Sequence, residues 1–333
     1  MEITNQSSTV DAVITWVDGN DPQHQQKRIE ALKKVNKPSE GKLPTGRHKT
    51  RFIDNGELRF CIASIRKFAP WIRNIYLVTD NQTPDFLTAD VKTKYNVTIV
   101  DHREIFRNHE NVLPTFNSRT IETAIWKIPG LAEKFIYFND DFLLTSPLDK
   151  EHFFKNGKVV VRGRWRRMAK YGRWRLRFNR VYSKIVKRLL GVTHSMHLLY
   201  QIRSAQLAGF SSKYYYVPHV PHPVNKSTLV NFFKENPDLF EENIQYKFRS
   251  TVQFSAFYLA YHLEIVNNNA ELISPDKAVM INGEMDFPGK VKRKIDAVES
   301  GATDFLCIQG LEKINPVQKK HLMKSLSALT EID

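Results

Sequence analysis

Two adjacent carboxylates, Asp140 and Asp141, end the apolar run Phe135–Phe138. Hard divalent cations take oxygen ligands and keep only one or two protein carboxylates when they also bind a diphosphate, so this pair is a candidate seat for Mg²⁺ or Mn²⁺. The competing use of an acidic pair after a strand is to cap the turn that follows. Asp18 and Asp21 close an earlier apolar run, Asp11–Val17, in the same way, and Trp16 with Val17 offers a wall for a base or sugar. There the alternative is a core Trp with two local caps. His219-Val220-Pro221-His222-Pro223 holds two imidazoles in an extended run that the prolines stiffen. An imidazole titrates near neutrality and can take a proton from an attacking hydroxyl, or it serves as a hydrogen-bonded structural group. Arg249 suits a bidentate phosphate contact or a surface ion pair. Neither a cysteine nor a third histidine stands at zinc-ligand spacing beside the two histidines. The chain has no P-loop, no dinucleotide fingerprint after a strand and no nucleophile elbow, so a diphosphate must be held by a metal and scattered side chains.

The elements that must carry these residues alternate. A strand over Asp11–Val17 is followed by a helix that starts at Pro22 behind an Asn20 or Asp21 cap and runs to Val35. Residues 36–51, rich in Pro, Gly and basic side chains, read as a loop. Asp54 and Glu57 have capping-box spacing before Leu58, Cys61, Ile62, Ile65 and Phe68, which recur at helical intervals until Pro70. Strands follow over Asn74–Thr79, Val97–Val100 and Phe135–Phe138, with a helix near Ser118–Ile128. Each strand stops at polar residues, which predicts an α/β fold with a mostly parallel sheet, helices on both faces, and the ligand at the carboxyl edge. Beyond Val159–Val161, helices are expected over Leu176–Gly191, Ser227–Lys234, Ser250–Asn267, Val291–Ser300 and Pro316–Leu329, and a final strand over Lys277–Ile281. The organisation expected is one domain over 1–333: an α/β half (1–150), a basic insertion (151–215) and a C-terminal half (216–333) that completes the core.

The net charge of +15 is local. From His152 to Lys234 there is no Asp or Glu, and 18 of the chain's 50 Lys and Arg lie there, leaving 32 against all 35 acidic side chains elsewhere. A near-neutral body with one basic stretch argues for docking on an anionic surface rather than for a nucleic-acid-binding fold. The second half of that stretch is amphipathic, and Arg173, Arg175 and Arg177 are its candidate contacts for acceptor polymer or anionic inner-membrane lipid. No apolar run approaches the length of a membrane span. The polar start, Met1 to Val10, lacks the pattern of a secretory signal, which makes the cytosol the expected compartment. Cys61 and Cys307 lie in apolar surroundings and are expected to be buried free thiols. Nothing in the pattern excludes a homo-oligomer.

Taken together, four segments resemble the Stealth family, which includes bacterial capsular polysaccharide phosphotransferases and the catalytic part of animal N-acetylglucosamine-1-phosphotransferase. They are Asp11–Pro22 (DAVITWVDGNDP), Arg51–Asp141 with RFIDNGELRF, VLPTFNS and FIYFNDDF, His219–His262 with HVPHP and YKFRSTVQFSAF, and Val279–Asp286 (VMINGEMD). The resemblance implies transfer of a hexose 1-phosphate, HexNAc-1-phosphate foremost, from a UDP-sugar such as UDP-GlcNAc to a glycan hydroxyl, with release of UMP. The implied fold is a nucleotide-binding core of the glycosyltransferase-A kind, and the implied cofactor is Mg²⁺ or Mn²⁺. It also implies a donor site drawing on Trp16, Asp18, Asp21, Arg51, Asp54, Asn55, Glu57, Thr79, Gln82, Asn139, His219 and Asn282. Asp140 and Asp141 would be its acidic pair, with Asp141, His222 and Arg249 carrying the catalysis. Where the animal enzyme has an acidic residue directly after the Asn of the fourth segment, this chain has Gly283. The competing functions are a metal-dependent glycosyltransferase that releases UDP and a non-catalytic binder of anionic polymer or membrane.

Overall fold

A computed structural model of the chain describes residues 9–34, 55–168 and 196–332. Four parallel strands, β1 (Val10–Thr15), β2 (Ile75–Thr79), β3 (Val97–Asp101) and β4 (Lys134–Asn139), form the main sheet. Its order is His222–Asn225, β4, β1, β2, β3, and the outer strand His222–Asn225 runs antiparallel to β4. The α/β expectation is met.

Side chains alternate across the pleat and so build two hydrophobic layers. Ala12, Ile14, Ile75, Leu77, Ile136 and Phe138 pack with Leu58, Cys61, Ile62 and Ile65 of the helix Glu57–Phe68. Val13, Tyr76, Val78, Phe135 and Tyr137 face the helices Ser118–Ala124, Lys226–Glu235, Pro237–Ile244 and Ala256–Val266. Asp11, fully buried at the start of β1, ties three strands together. It accepts from Arg73 Nε at 2.8 Å, Arg73 Nη2 at 2.6 Å, Asn74 N at 3.2 Å and Ala132 N at 2.7 Å.

A second sheet continues directly from β4. The strand β5 (Phe142–Leu144) pairs antiparallel with Phe305–Gln309, which pairs in parallel with Ala278–Asn282. Phe60, on the far side of its helix, packs with Leu143, Ile281 and Ile308 and with the helices Pro288–Glu299 and Pro316–Thr330. The strand expected to be last therefore has a successor, Phe305–Gln309. Its short run FLCIQ carries no alternation to mark it.

Two further expectations shift. The helix expected from Ser250 begins at Ala256, because residues 250–255 spend their polar groups on non-helical bonds: Phe254 N donates to Asn243 Oδ1 (3.1 Å) and Ser255 N to Ser204 Oγ (3.1 Å). The HVPHP run is a loop only as far as Pro221, and from His222 it is an edge strand, the one sheet position that tolerates Pro223. The loop expected over 36–51 and the amphipathic helix expected over Leu176–Gly191 lie outside the described residues. Among the described residues no helix is long and apolar enough to cross a membrane. Cys61 and Cys307 are buried free thiols, as expected.

Candidate functional site

Parallel strands open their carboxyl ends onto one edge, and the register fixes what meets there. Thr15 lies beside both Val78 and Asn139, and Thr79 lies beside Asp101. The segments after β1, β2 and β4 therefore emerge together. The antiparallel strand begins at this same edge with His222 opposite Tyr137, so the two-histidine run arrives from the other direction.

The acidic side is built on the turn between β4 and β5. Thr15 Oγ1 is 2.7 Å from the Tyr137 hydroxyl, which donates to Asn139 Oδ1 at 2.7 Å, and the Asn139 side chain in turn hydrogen-bonds Asp141. Asp141 Oδ2 accepts from Cys307 Sγ at 3.7 Å, whereas its Oδ1 is buried with no protein partner among the described residues. Burial, and then the neighbouring Glu57 carboxylate, push the Asp141 carboxyl up to about 7. Burial and the charges of both aspartates likewise push the Cys61 and Cys307 thiols up. Glu57 accepts from Asn55 N at 2.9 Å, and the Asn55 amide also reaches Glu312 Oε2 at 3.5 Å. The helix Glu57–Phe68 starts behind Gly56 as its N-cap residue, at φ 85°. Among the described residues no cluster of three His, Cys, Asp or Glu side chains forms a ready metal cage. A cation sharing its shell with a diphosphate needs fewer protein ligands, and Asp141 Oδ1 is an oxygen left over for it.

The other side is aromatic and basic. His222 is buried, with Nδ1 3.0 Å from the Tyr261 hydroxyl and its ring stacked near Tyr137 and Phe257. Burial, then Arg119 and His219, pull it down to about 3, so the imidazole is neutral. His219 stacks on His197 at 4.3 Å, and burial with the adjacent His219 holds His197 well below its usual value. Arg249 donates to Ser118 Oγ at 2.6 Å, and burial, then the Arg119 charge, lower its proton affinity. The Asp141 carboxylate and the His222 imidazole thus flank Tyr137, His222 by stacking on its ring and Asp141 through Asn139.

Other expected residues serve the frame. Trp16 is in the core. Asp18 Oδ1 accepts from Asn20 N at 2.8 Å, and Asp21 caps the helix Pro22–Lys34 by accepting from His24 N at 2.6 Å. Gln82 bonds reciprocally to the Asp18 backbone, both contacts at 3.0 Å, which locks two edge loops together. Thr79 is buried with its hydroxyl unpartnered among the described residues. Asn282 accepts from Glu284 N and Met285 N, and its amide reaches Gln309 at 3.5 Å beside β5. Arg51, Asp54, Arg173, Arg175 and Arg177 lie outside the described residues. Sequence reasoning missed Arg119, Glu122, His197, Tyr258, Tyr261 and Glu312. The available signal was an Arg and a Glu three apart on the otherwise buried helix Ser118–Ala124.

Family models of the Stealth proteins match twice: conserved region 1 over residues 9–35 and conserved region 2 over residues 51–161. Together the two matched stretches take in less than half of the chain. The first holds β1 and the helix after it, and the second holds β2 to β5 with the acidic pair. His222 and Arg249 lie beyond both matched stretches.

An exopolysaccharide phosphotransferase of Streptomyces coelicolor is 48% identical over 145 residues, 44% of this chain and 25% of that protein. The capsular polysaccharide phosphotransferase fcs1 of Haemophilus influenzae is 41% identical over 160 residues (48% and 42%), and LcbA of Neisseria meningitidis, also a capsular polysaccharide phosphotransferase, is 43% identical over 146 residues (44% and 37%). The chain spans less than half the length of each of these relatives. Among solved structures, the galactosyltransferase LgtC with donor and acceptor sugar analogues aligns over 96% of both chains at 10% identity and TM-score 0.40. Mouse xyloside xylosyltransferase 1 aligns over 90% of this chain and 97% of its own, also at 10% and 0.40. Likenesses that distant bear no weight for chemistry.

Proposed function

We propose that this Stealth chain transfers a hexose 1-phosphate, HexNAc-1-phosphate foremost, from a UDP-sugar to a glycan hydroxyl in capsular or exopolysaccharide synthesis, releasing UMP. The relatives' names support the class of reaction. The observation that carries the reading is the convergence, on one sheet edge, of an acidic pair with a spare buried oxygen and a neutral imidazole flanked by guanidinium groups.

Asp140 and Asp141 are the residues to hold Mg²⁺ or Mn²⁺, which when bound neutralises diphosphate charge. A carboxylate committed to a cation loses basicity, so the acceptor proton goes to His222. Its Nδ1 is tied to Tyr261, which leaves Nε2 for the hydroxyl. Negative charge entering beside Arg119 offsets the second of the causes that depress His222, after burial, and so raises its strength as a base. Arg249 offers charge to the phosphoryl oxygens, in keeping with a reaction that depends on positioning and electrostatics.

Incubating the protein with a panel of UDP-sugars and capsule-type oligomers, and identifying the released nucleotide, tests this. UMP is expected; UDP would establish the glycosyltransferase alternative instead. The basic stretch, by its uncompensated charge, is assigned to docking on the phosphate-bearing product or the inner face of the cell membrane. Neutralising Arg173, Arg175 and Arg177 without loss of polymer and liposome binding would refute that role.

A further inference from the structure

Arg119 lies beside His222, Arg249 lies beside Arg119, and Glu122 is the carboxylate paired with Arg119 among the described residues. Arg119 donates to Glu122 Oε2 at 2.5 Å and to Ser255 Oγ at 3.3 Å, and its guanidinium lies 4.9 Å from the Tyr200 ring centroid. Its side chain is 13% exposed and that of Glu122 3%, and Arg119 Nε is buried with no partner among the described residues. Arg249 bonds to Ser118, the residue before Arg119, and has no ion pair among the described residues.

The described histidines and tyrosines that line the buried space around Arg119 add no negative charge. His222 and His197 are held neutral, and burial keeps the Tyr137 and Tyr258 hydroxyls protonated. Burial disfavours the Arg119 charge, and Glu122 with the surrounding tyrosine hydroxyls outweighs it, whereas for Arg249 burial and then the like charge of Arg119 outweigh the more distant Glu122. Two adjacent cations against one carboxylate in a desolvated pocket are costly unless an anion completes the set. The fork geometry of guanidinium matches a tetrahedral oxyanion.

We propose that Arg119 and Arg249 form a two-guanidinium cradle for the sugar-linked phosphate of the nucleotide-sugar, with Glu122 fixing the Arg119 fork. The site rests on the functional reading above, and it assigns Arg119 a binding role that the family resemblance did not mark. Its position fits: Tyr137 feels Glu122, Arg119 and Asp140, so the cradle and the acidic pair flank one ring.

The test is calorimetric binding of inorganic pyrophosphate to the whole chain in the presence of a chelator, followed by displacement with UDP. Arg119→Gln and Arg249→Gln should each weaken pyrophosphate binding about ten- to a hundredfold, the range for lost charge-assisted contacts. Glu122→Gln should keep or tighten it, because Arg119 loses the carboxylate that competes with the ligand for its guanidinium. Arg119→Gln alone strands a buried carboxylate, so the paired change Arg119→Gln with Glu122→Gln serves as the foldable control and should be equally weak. Wild-type affinity in the paired variant overturns the cradle. So does a Glu122→Gln variant as weak as Arg119→Gln, which would mean that Arg119 only props the helix, and so does pyrophosphate that UDP fails to displace. The nucleotide released in turnover is a separate outcome. UDP release together with Arg119-dependent pyrophosphate binding removes the phosphotransfer reading and leaves the cradle standing, and UMP release with Arg119-independent binding does the reverse.

Discussion

Replacing Asp141 by Asn should abolish transfer and yet make the cation-free protein more stable at alkaline pH. The carboxyl titrates at about 7 in the fold and at 3.8 in the unfolded chain, its rise caused by burial and then by Glu57. A raised folded-state value means that the stability linked to this group is complete below 3.8 and is lost as pH rises through 7. The interval is about three pH units at about 1.4 kcal/mol each, so wild type at pH 8 carries a penalty of about 4 kcal/mol. Discounting for the partial exposure of Asp141 and its shared charge with Glu57, about 2–4 kcal/mol is the gain expected from the uncharged isostere. About half should remain at pH 5.5 and almost none below pH 4. Urea unfolding with a chelator present, at pH 8, 5.5 and 4, reads the difference directly, and comparing the two proteins at each pH cancels the buried histidines, which titrate in both. Adding Mg²⁺ at pH 8 should recover stability in wild type and not in the variant. A variant no more stable than wild type at pH 8, or a gap that does not narrow with acid, would refute the argument that Asp141 is a strained site carboxylate rather than a contented cap.

Three other perturbations follow from the same contacts. His222→Ala should lower kcat by about 10²–10⁴ while leaving donor affinity nearly intact, the signature of a lost proton acceptor; unchanged UMP release would remove His222 from the mechanism. His222 at about 3 and His262 at about 4 are both depressed by burial below the ordinary 6.5, so the stability each contributes is complete above 6.5 and fades as pH falls towards those values. By pH 5 each should cost about 2 kcal/mol, and His262→Gln, which keeps a polar group near Tyr215 N and Tyr258 O, should flatten the acid limb of the unfolding curve. Gly283→Ala puts a Cβ 2.1 Å from Gly310 O and should destabilise by about 1–3 kcal/mol in thermal unfolding, whereas a neutral outcome would mean that the two loops slide apart freely.

The main sheet was legible because its strands are short apolar runs that each stop at polar residues, and because Leu58, Cys61, Ile62, Ile65 and Phe68 announce a helix with one buried face. The second sheet was not. Phe142–Leu144 is three residues long and continues from β4 after two aspartates, so a sequence reader sees one strand and a turn. Its partner Phe305–Gln309 is buried on both sides and lacks the alternation that distinguishes a strand from a helix segment. The start of the helix Ala256–Val266 was misplaced for a different reason. Gln253 uses its side chain four ways, accepting from Ser250 N and Asn117 Nδ2 and donating to Thr120 Oγ1 and Asn243 O, and the three long-range demands leave no mark in local periodicity.

The candidate site divides along the same line. Residues whose chemistry is announced by their neighbours stand out in the sequence: Asp140 and Asp141 after an apolar strand, and His219 and His222 between prolines. Residues whose meaning depends on a partner far along the chain were missed. Arg119 reads as one more surface arginine until Glu122, Ser255 and Tyr200 enclose it, and the last two are brought in by the start of the helix Ala256–Val266 and by the helix Met196–Leu207. Tyr137 reads as a strand aromatic until the register sets it opposite His222 and its hydroxyl joins Thr15 to Asn139. The hub of the site is therefore a residue with no acid–base role of its own. Its ring stacks with the imidazole on one side, and its hydroxyl orients the amide that bonds Asp141 on the other, so a Phe at this position would keep the packing and loosen only the acidic half.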